Sequence, residues 1–381
     1  MLTALFWISA LALGYSLIGY SLILLGLGRF FPAWSPRVDA PMPAKVSFLI
    51  AAYNEAPVIA EKLRNTLELA RGDCALEVIL VCDGSSDGTA QVARRVEDPA
   101  INVLEPGRQG KALALACGLE KCSGDVVVFS DANAMLAPNS LLAMLPHYQD
   151  RRVGGVCGQI TVQAKDGGIG MSEGLFWRYD QAMKHAEAQL GGTVSAQGSV
   201  YSMRRELARA PRLGCTDDFD ISVAAIHAGK RLVFEPDART SETTTEEVKS
   251  EMRRRIRSSE RGWRSLMQNA ALMNPFAHGL YAWQLFSHKL MRRLNPLFLV
   301  LLFVSNLLLI DKGGFYLLTG IGQISFYGMA LAGLIRPDLR RLKPVALAAF
   351  FTFAHAAMGW GILRCMAGRQ STLWTPSRTK A

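Results

Sequence analysis

The residues able to do chemistry in this chain are acids placed just past apolar runs. Cys215-Thr216-Asp217-Asp218-Phe219-Asp220 puts three carboxylates into six residues, ahead of a helical run that ends at Gly229. Capping and the helix dipole explain one acid in a first turn. Three so close together point to a second role, and one of them is expected to act as a general base. Asp131-Ala132-Asn133 follows the apolar run 126–130. Oxygen-bearing side chains at i and i+2 project to one side of an extended segment and can share a hard cation, Mg²⁺ or Mn²⁺, that bridges to phosphates. An Asx turn capping the next helix is the simpler use of the same residues. Asp83 opens the turn Asp83-Gly84-Ser85-Ser86-Asp87-Gly88-Thr89. A carboxylate there can accept from a base N–H or a ribose hydroxyl, and Gly84 and Gly88 let a ligand approach the backbone. By itself an Asp-Gly turn is ordinary loop punctuation.

The elements that must position these acids read as an alternation of short strands and helices over residues 46–233. Apolar strands are predicted at 46–52, 78–82, 101–104 and 126–130. Helices are predicted at 55–70, from the Asp83 turn to 96, at 111–121 and at 219–228. Unbroken apolar strands separated by helices indicate a mostly parallel sheet covered on both faces, a Rossmann-like α/β domain. Ligands of such sheets sit at the carboxyl ends of the strands. That rule selects Tyr53-Asn54-Glu55, Asp83 and Asp131, each just past a strand end. Gly107-Arg108-Gln109-Gly110-Lys111 fails the P-loop pattern, because two residues instead of four separate the glycines and Ala112 follows the lysine. Lys111 still stands at a helix start, within reach of a nucleotide. Residues 246–267 read as an amphipathic helix with Arg253, Arg257, Arg261 and Arg264 on one face. A row of arginines beside an apolar stripe suits phosphates or a membrane interface better than plain solvation.

Half of the 381 residues are hydrophobic and the net charge is +10. The basic balance admits nucleic acid, anionic lipid or phosphorylated substrates. No nucleic-acid module is recognisable, so nucleic acid is set aside. Seven cysteines without CxxC spacing argue against a disulfide framework or a structural zinc. Residues 5–27 are uncharged and long enough to span a bilayer, with Arg29, Arg37 and Lys45 after them, which places the following domain on the cytoplasmic side. Further apolar runs cover 296–310, 315–335 and 345–363. The expected layout is a membrane helix over 1–28, a proline-rich linker over 29–45 and a cytoplasmic α/β domain over 46–270. An interfacial amphipathic helix over 271–294, about three membrane helices in 295–365 and a tail over 366–381 complete it. With three C-terminal spans the tail cations Arg364, Arg369, Arg378 and Lys380 fall on the outer side, against the charge rule.

Taken in order, these motifs resemble those of the membrane-bound, inverting family 2 glycosyltransferases with a GT-A fold, the group of the cellulose, chitin, hyaluronan and poly-N-acetylglucosamine synthases. The likeness runs over 46–264 and into the flanking membrane segments. It implies that Tyr53, Glu55, Asp83, Lys111, Asp131 and Arg257 bind a nucleotide-sugar donor, a UDP-sugar first of all. It further implies that Asp131 and Asn133 hold a divalent cation, Mg²⁺ or Mn²⁺. Gly198 and Ser199, followed by Arg204-Arg205, resemble the acceptor-side loop. Thr216-Asp217-Asp218 resembles the Thr-Glu-Asp motif, which makes Asp218 the catalytic base and Asp217 its acidic neighbour on the acceptor side. Processive members carry Gln-x-x-Arg-Trp where this chain has Arg254-Arg255-Ile256-Arg257-Ser258. The missing Gln and Trp favour transfer of one or a few sugars to a glycan or lipid-linked acceptor. A processive polysaccharide synthase with export and a polyprenyl-phosphate sugar transferase are the alternatives. The resemblance places the chain as an integral protein of the bacterial inner membrane, with membrane lipids and subunits of an envelope polysaccharide system as partners.

Overall fold

The computed structural model describes residues 1–30, 34–163, 168–243 and 248–369. Pro32 of the linker, the predicted helix start at 246–247 and the tail residues Arg378 and Lys380 lie outside the described residues. The centre is an eight-stranded sheet in the order β3-β2-β1-β4-β7-β6-β8-β5. Its strands are β1 (Lys45–Ala52), β2 (Ala75–Cys82), β3 (Ile101–Leu104), β4 (Val126–Asp131), β5 (Met135–Leu136), β6 (Val153–Gln163), β7 (Val200–Arg204) and β8 (Arg231–Thr243). The first four pair in parallel. Their apolar residues point to both faces because both faces are covered: Val46, Phe48 and Ile50 enter one core, Leu49 and Ala51 the other. Each buried Val, Leu, Ile or Phe here contributes about 1.5–3 kcal/mol.

The far half of the sheet departs from the predicted pattern. β7 runs antiparallel to both β4 and β6, and β5 runs antiparallel to β8. The mostly parallel α/β fold stands, with this mixed half added. Around the sheet lie α2 (Ala56–Leu67), α3 (Thr89–Arg94), α4 (Lys111–Leu119), α5 (Ser140–Met144), α6 (Gly168–Leu190), α7 (Asp217–Ser222), α8 (Ala224–His227) and α9 (Val248–Gln268), after an N-terminal helix α1 (Leu2–Leu27). The helix predicted over 219–228 is thus two short helices meeting at Val223. All seven cysteines are free thiols.

Three helices follow α9: α10 (Pro275–Leu307), α11 (Gly314–Ile335) and α12 (Lys343–Met366). With α1 they make, among the described residues, four helices long and apolar enough to cross a membrane. Exposed apolar side chains such as Leu11, Leu22, Leu318 and Ile321 suit a lipid surround. Past a break at Gly279 (φ +52°), the predicted interfacial helix and the first C-terminal run are one element, α10, which continues through Pro296. The start of α1 meets the start of α11, where the Trp7 ring stacks on Phe315 at 5.6 Å. α12 lies along α9. A Cβ on Gly361 would stand 2.5 Å from the Ile256 carbonyl oxygen. Arg364 approaches Glu260 at 3.5 Å, and Arg264 reaches the Cys365 sulfur at 3.8 Å.

Candidate active site

Lys111 is the point where the predicted motifs meet. Gly110, at φ +95°, turns the chain into α4 and puts Lys111 in its first turn. The Lys111 Nζ lies 2.7 Å from Asp131 Oδ1 at the end of β4 and 2.8 Å from Asp217 Oδ2 at the start of α7. Burial alone would lower the lysine pKa, but the two carboxylates outweigh it and hold it well above the usual value. Two acids 86 positions apart in sequence thereby share one cation.

Asp131 is braced from beneath. Lys62, fully buried on the apolar face of α2, donates to Ser130 Oγ at 2.8 Å and to the Ala134 carbonyl at 2.5 Å. Ser130 Oγ donates in turn to the Ser199 carbonyl at 2.8 Å. Gly198 lies beside Asp131, and a Cβ there would stand 3.4 Å from Asp131 Oδ2. The Gly198-Ser199 loop and the Asp131-Ala132-Asn133 turn are therefore neighbours. Asp131 and the half-buried Asn133 offer one carboxylate and one carboxamide oxygen at the end of β4, fewer than the six ligands a hard cation takes. Among the described residues no three His, Cys, Asp or Glu side chains converge on a metal position. The donor set fits a divalent cation completed by phosphate oxygens and water, not a self-sufficient metal centre.

The first two strand ends form a second cluster. Asp83 is 1 % exposed and accepts from the N–H groups of Gln109 at 2.7 Å and Gly110 at 2.9 Å, and from the Arg108 guanidinium. That guanidinium lies 3.4 Å from the Tyr53 ring centroid. A flat group entering against Tyr53 must displace it or stack upon it. Asn54 Oδ1 accepts from the Ser86 N–H at 2.9 Å and Asp87 Oδ2 accepts from the Ala56 N–H at 3.0 Å, so the two loops are tied together. Glu55 is buried beneath them, its N–H donating to Thr89 Oγ1 at 2.9 Å. Gly84 has φ +64°, and a Cβ there would stand 2.6 Å from the Arg108 nitrogen. Gly84→Ala is expected to strain this cradle by about 1–3 kcal/mol. The expected readout is a donor KM raised about five- to a hundredfold with kcat nearly unchanged. An unchanged KM would separate the Asp83 turn from donor binding.

The acids of α7 take three different roles. Asp220 is buried, and its carboxylate accepts from the Arg212 guanidinium and backbone N–H and from Asn269 Nδ2 at 3.2 Å. Burial opposes its ionisation, yet the Arg212 contacts hold it below the usual carboxylate range. It is a structural acid that anchors the loop before α7. Asp217 faces Lys111. Asp218 accepts from the Phe219 N–H at 2.8 Å. Burial, and next the charge of Asp217, push its pKa up, while Lys289, the Phe219 N–H and Lys111 pull it back. Thr216 is fixed from α9 by Ser265 Oγ, which accepts its N–H at 2.8 Å.

Lys289 of α10 escaped the sequence reading. Its ammonium lies 5.8 Å from the Phe219 ring centroid, beside Asp218. Its only signal was a cation among the aromatics of the 271–294 segment. Lys62 and Arg108 were missed as well. Lys62 could have been found as a lysine at apolar-face spacing with Ile59, Leu63 and Thr66. Of the arginine row, Arg257 is half-buried and its pKa is lowered by burial and by Arg261 and Arg254. The arginine whose charge couples to Asp217 is Arg261, one turn further on.

Residues 43–260 match the family model described as glycosyltransferase-like family 2. The chain belongs to that family. The glycosyltransferase is 25 % identical over 243 residues to a poly-beta-1,6-N-acetyl-D-glucosamine synthase of Staphylococcus aureus strain COL, a match covering 61 % of this chain and 58 % of the synthase. It is 35 % identical over 107 residues to an undecaprenyl-phosphate 4-deoxy-4-formamido-L-arabinose transferase of Pseudomonas syringae pv. syringae, covering 26 % of this chain and 32 % of that one. The mannosyltransferase PcManGT of Pyrobaculum calidifontis, solved with GDP-Man and Mn²⁺, superposes with a TM-score of 0.69 at 22 % identity, over 94 % of this chain and 99 % of that one. That likeness extends the shared fold beyond the α/β domain into the helices around it.

Proposed function

We propose that the protein is a membrane-embedded inverting glycosyltransferase that moves a sugar from a nucleotide-diphosphate sugar, a UDP-sugar first of all, to a hydroxyl of a glycan or lipid-linked acceptor. The reading rests on Lys111 joining Asp131 to Asp217, which brings the phosphate end of the site and the base helix within one side chain of each other. The base of the donor stacks at Tyr53, and its N–H or a ribose hydroxyl donates to Asp83. When bound, a divalent cation held by Asp131 and Asn133 would neutralise the diphosphate. The relative solved with GDP-Man and Mn²⁺ supports both the donor class and the cation. Arg257 and Arg261 stand ready for the charge that grows on the leaving diphosphate. Asp218 takes the proton of the acceptor hydroxyl. The new C–O bond forms at the anomeric carbon as its bond to the diphosphate oxygen breaks on the opposite face. The direct test is nucleotide release from UDP- and GDP-sugars by the detergent-solubilised protein, with and without Mn²⁺. A UDP-sugar turned over only with acceptor and divalent cation is expected, and no release from any donor would refute the reading. The likeness to a polymer-forming synthase keeps processive synthesis as a second reading, and product length decides it.

We place the catalytic domain on the cytoplasmic face of a bacterial inner membrane. The packing of Gly361, Arg364 and Cys365 onto α9 favours α12 lying along that domain instead of spanning. The cations at 336–343 and those of the tail then share the cytoplasmic side, as the charge rule asks. A C-terminal green fluorescent protein is expected to fluoresce. Activity of a C-terminal alkaline phosphatase fusion would contradict this placement.

A further inference from the structure

A cavity of about 430 Å³ lies between α9, α12 and the inner faces of α1 and α10. One wall is polar and cationic, with Arg254, Arg255 and Ser258 from α9 and Arg292 and Asn295 from α10. α12 contributes the apolar Phe350, Phe351, Ala354 and Met358, with the His355 imidazole among them. Three arginines and, among the described residues, no carboxylate line it. The guanidiniums keep contacts inside the protein: Arg255 lies 5.1 Å from the Phe350 ring centroid, and Arg292 lies 5.7 Å from the Tyr179 ring centroid and 3.7 Å from Asp180. Ser16 of α1 donates to Asn295 at 2.5 Å and closes the floor. Arginine matches phosphate oxygens with a planar set of donors. Free phosphate would leave the aromatic wall unused, and a neutral alkyl chain would leave the arginines unused.

We propose that this cavity binds the phosphate headgroup of an anionic membrane phospholipid, with the first part of its acyl chain against Phe350, Phe351 and Met358. The volume takes a headgroup and the beginning of a chain, and the rest of the lipid continues along the apolar helices. Arg254 links this site to the diphosphate side, since it lies close enough to Arg257 to depress that arginine's pKa. The proposal is independent of which sugar is transferred.

The test is native mass spectrometry of the purified full-length protein in detergent, titrated with phosphatidylglycerol, with phosphatidylcholine of the same chains and with inorganic phosphate. Two variants are compared with the wild type. Arg254→Gln/Arg255→Gln removes charge, and Ala354→Phe fills the apolar side without touching charge. Phosphatidylglycerol is expected to stay bound, phosphatidylcholine to dissociate, and inorganic phosphate to compete only weakly. Each arginine lost is expected to weaken retention about fivefold, from the usual strength of a basic residue at an anionic lipid surface. Ala354→Phe should also reduce it. Equal retention of the two lipids, displacement by inorganic phosphate alone, or wild-type retention in Ala354→Phe would overturn the proposal. Should the double arginine variant fail to fold, the Ala354→Phe comparison and the two-lipid comparison decide it.

Discussion

Asp218→Asn is expected to lose about 10² to 10⁴ of turnover, the usual scale of a lost general base, and to melt no lower than the wild type. The amide oxygen still accepts from the Phe219 N–H, so the local geometry survives. The gain in stability follows from the direction of the Asp218 shift. Burial and the neighbouring Asp217 raise its pKa, so the folded state prefers the protonated form. Its favourable contribution is present below the ordinary carboxylate pKa and is lost as pH rises through the folded value. The ionised form therefore costs stability in the folded state, and asparagine removes that cost. The same shift places the acid limb of kcat/KM above the ordinary carboxylate value of about 4. Asp217→Asn should move that limb to lower pH, because the like charge that raises the pKa is gone. Turnover of Asp218→Asn within tenfold of wild type would remove Asp218 from the base role, and a limb unmoved by Asp217→Asn would deny their coupling.

Lys111→Ala is expected to be the most damaging single change outside α7. It takes the shared cation from Asp131 and Asp217 and leaves two partly buried carboxylates facing one another. Leaving such groups unpaired costs about 1–3 kcal/mol. The expected result is a lower melting temperature together with donor affinity weakened about ten- to a hundredfold, measured by calorimetric titration. Asp217→Asn added to Lys111→Ala removes one of the two unpaired charges and should return part of the stability. Strictly additive effects in that cycle would mean that the two groups do not interact. Donor affinity equal to wild type in Lys111→Ala would detach the lysine from the site.

The parallel half of the sheet could be read from residues alone because β1, β2 and β4 are apolar on both faces and end in polar turns. That pattern placed Asp83 and Asp131 at strand ends. The antiparallel half was not legible. β6 carries Gly154, Gly155 and Gly158, which break an apolar run. A Cβ on Gly155 would stand 2.5 Å from the Met203 sulfur, so the glycine serves packing against β7 that no local pattern displays. The resemblance singled out Asp218 among the three acids of α7, but the contacts that separate them were not legible. What distinguishes Asp220 is Arg212 and Asn269, and what distinguishes Asp217 is Lys111. Arg108 over Tyr53 and Lys289 beside Asp218 are likewise pairings across the fold, invisible at sequence spacing.

The account stands on a single displacement in which Asp218 deprotonates the acceptor while the diphosphate departs from the opposite face. The anomeric configuration of the newly formed glycosidic linkage, read by proton NMR, tests this most directly. An α-linked donor sugar should yield a β-linked product. A product that retains the donor configuration would contradict the assignment of Asp218 as the base of a single-step inverting transfer.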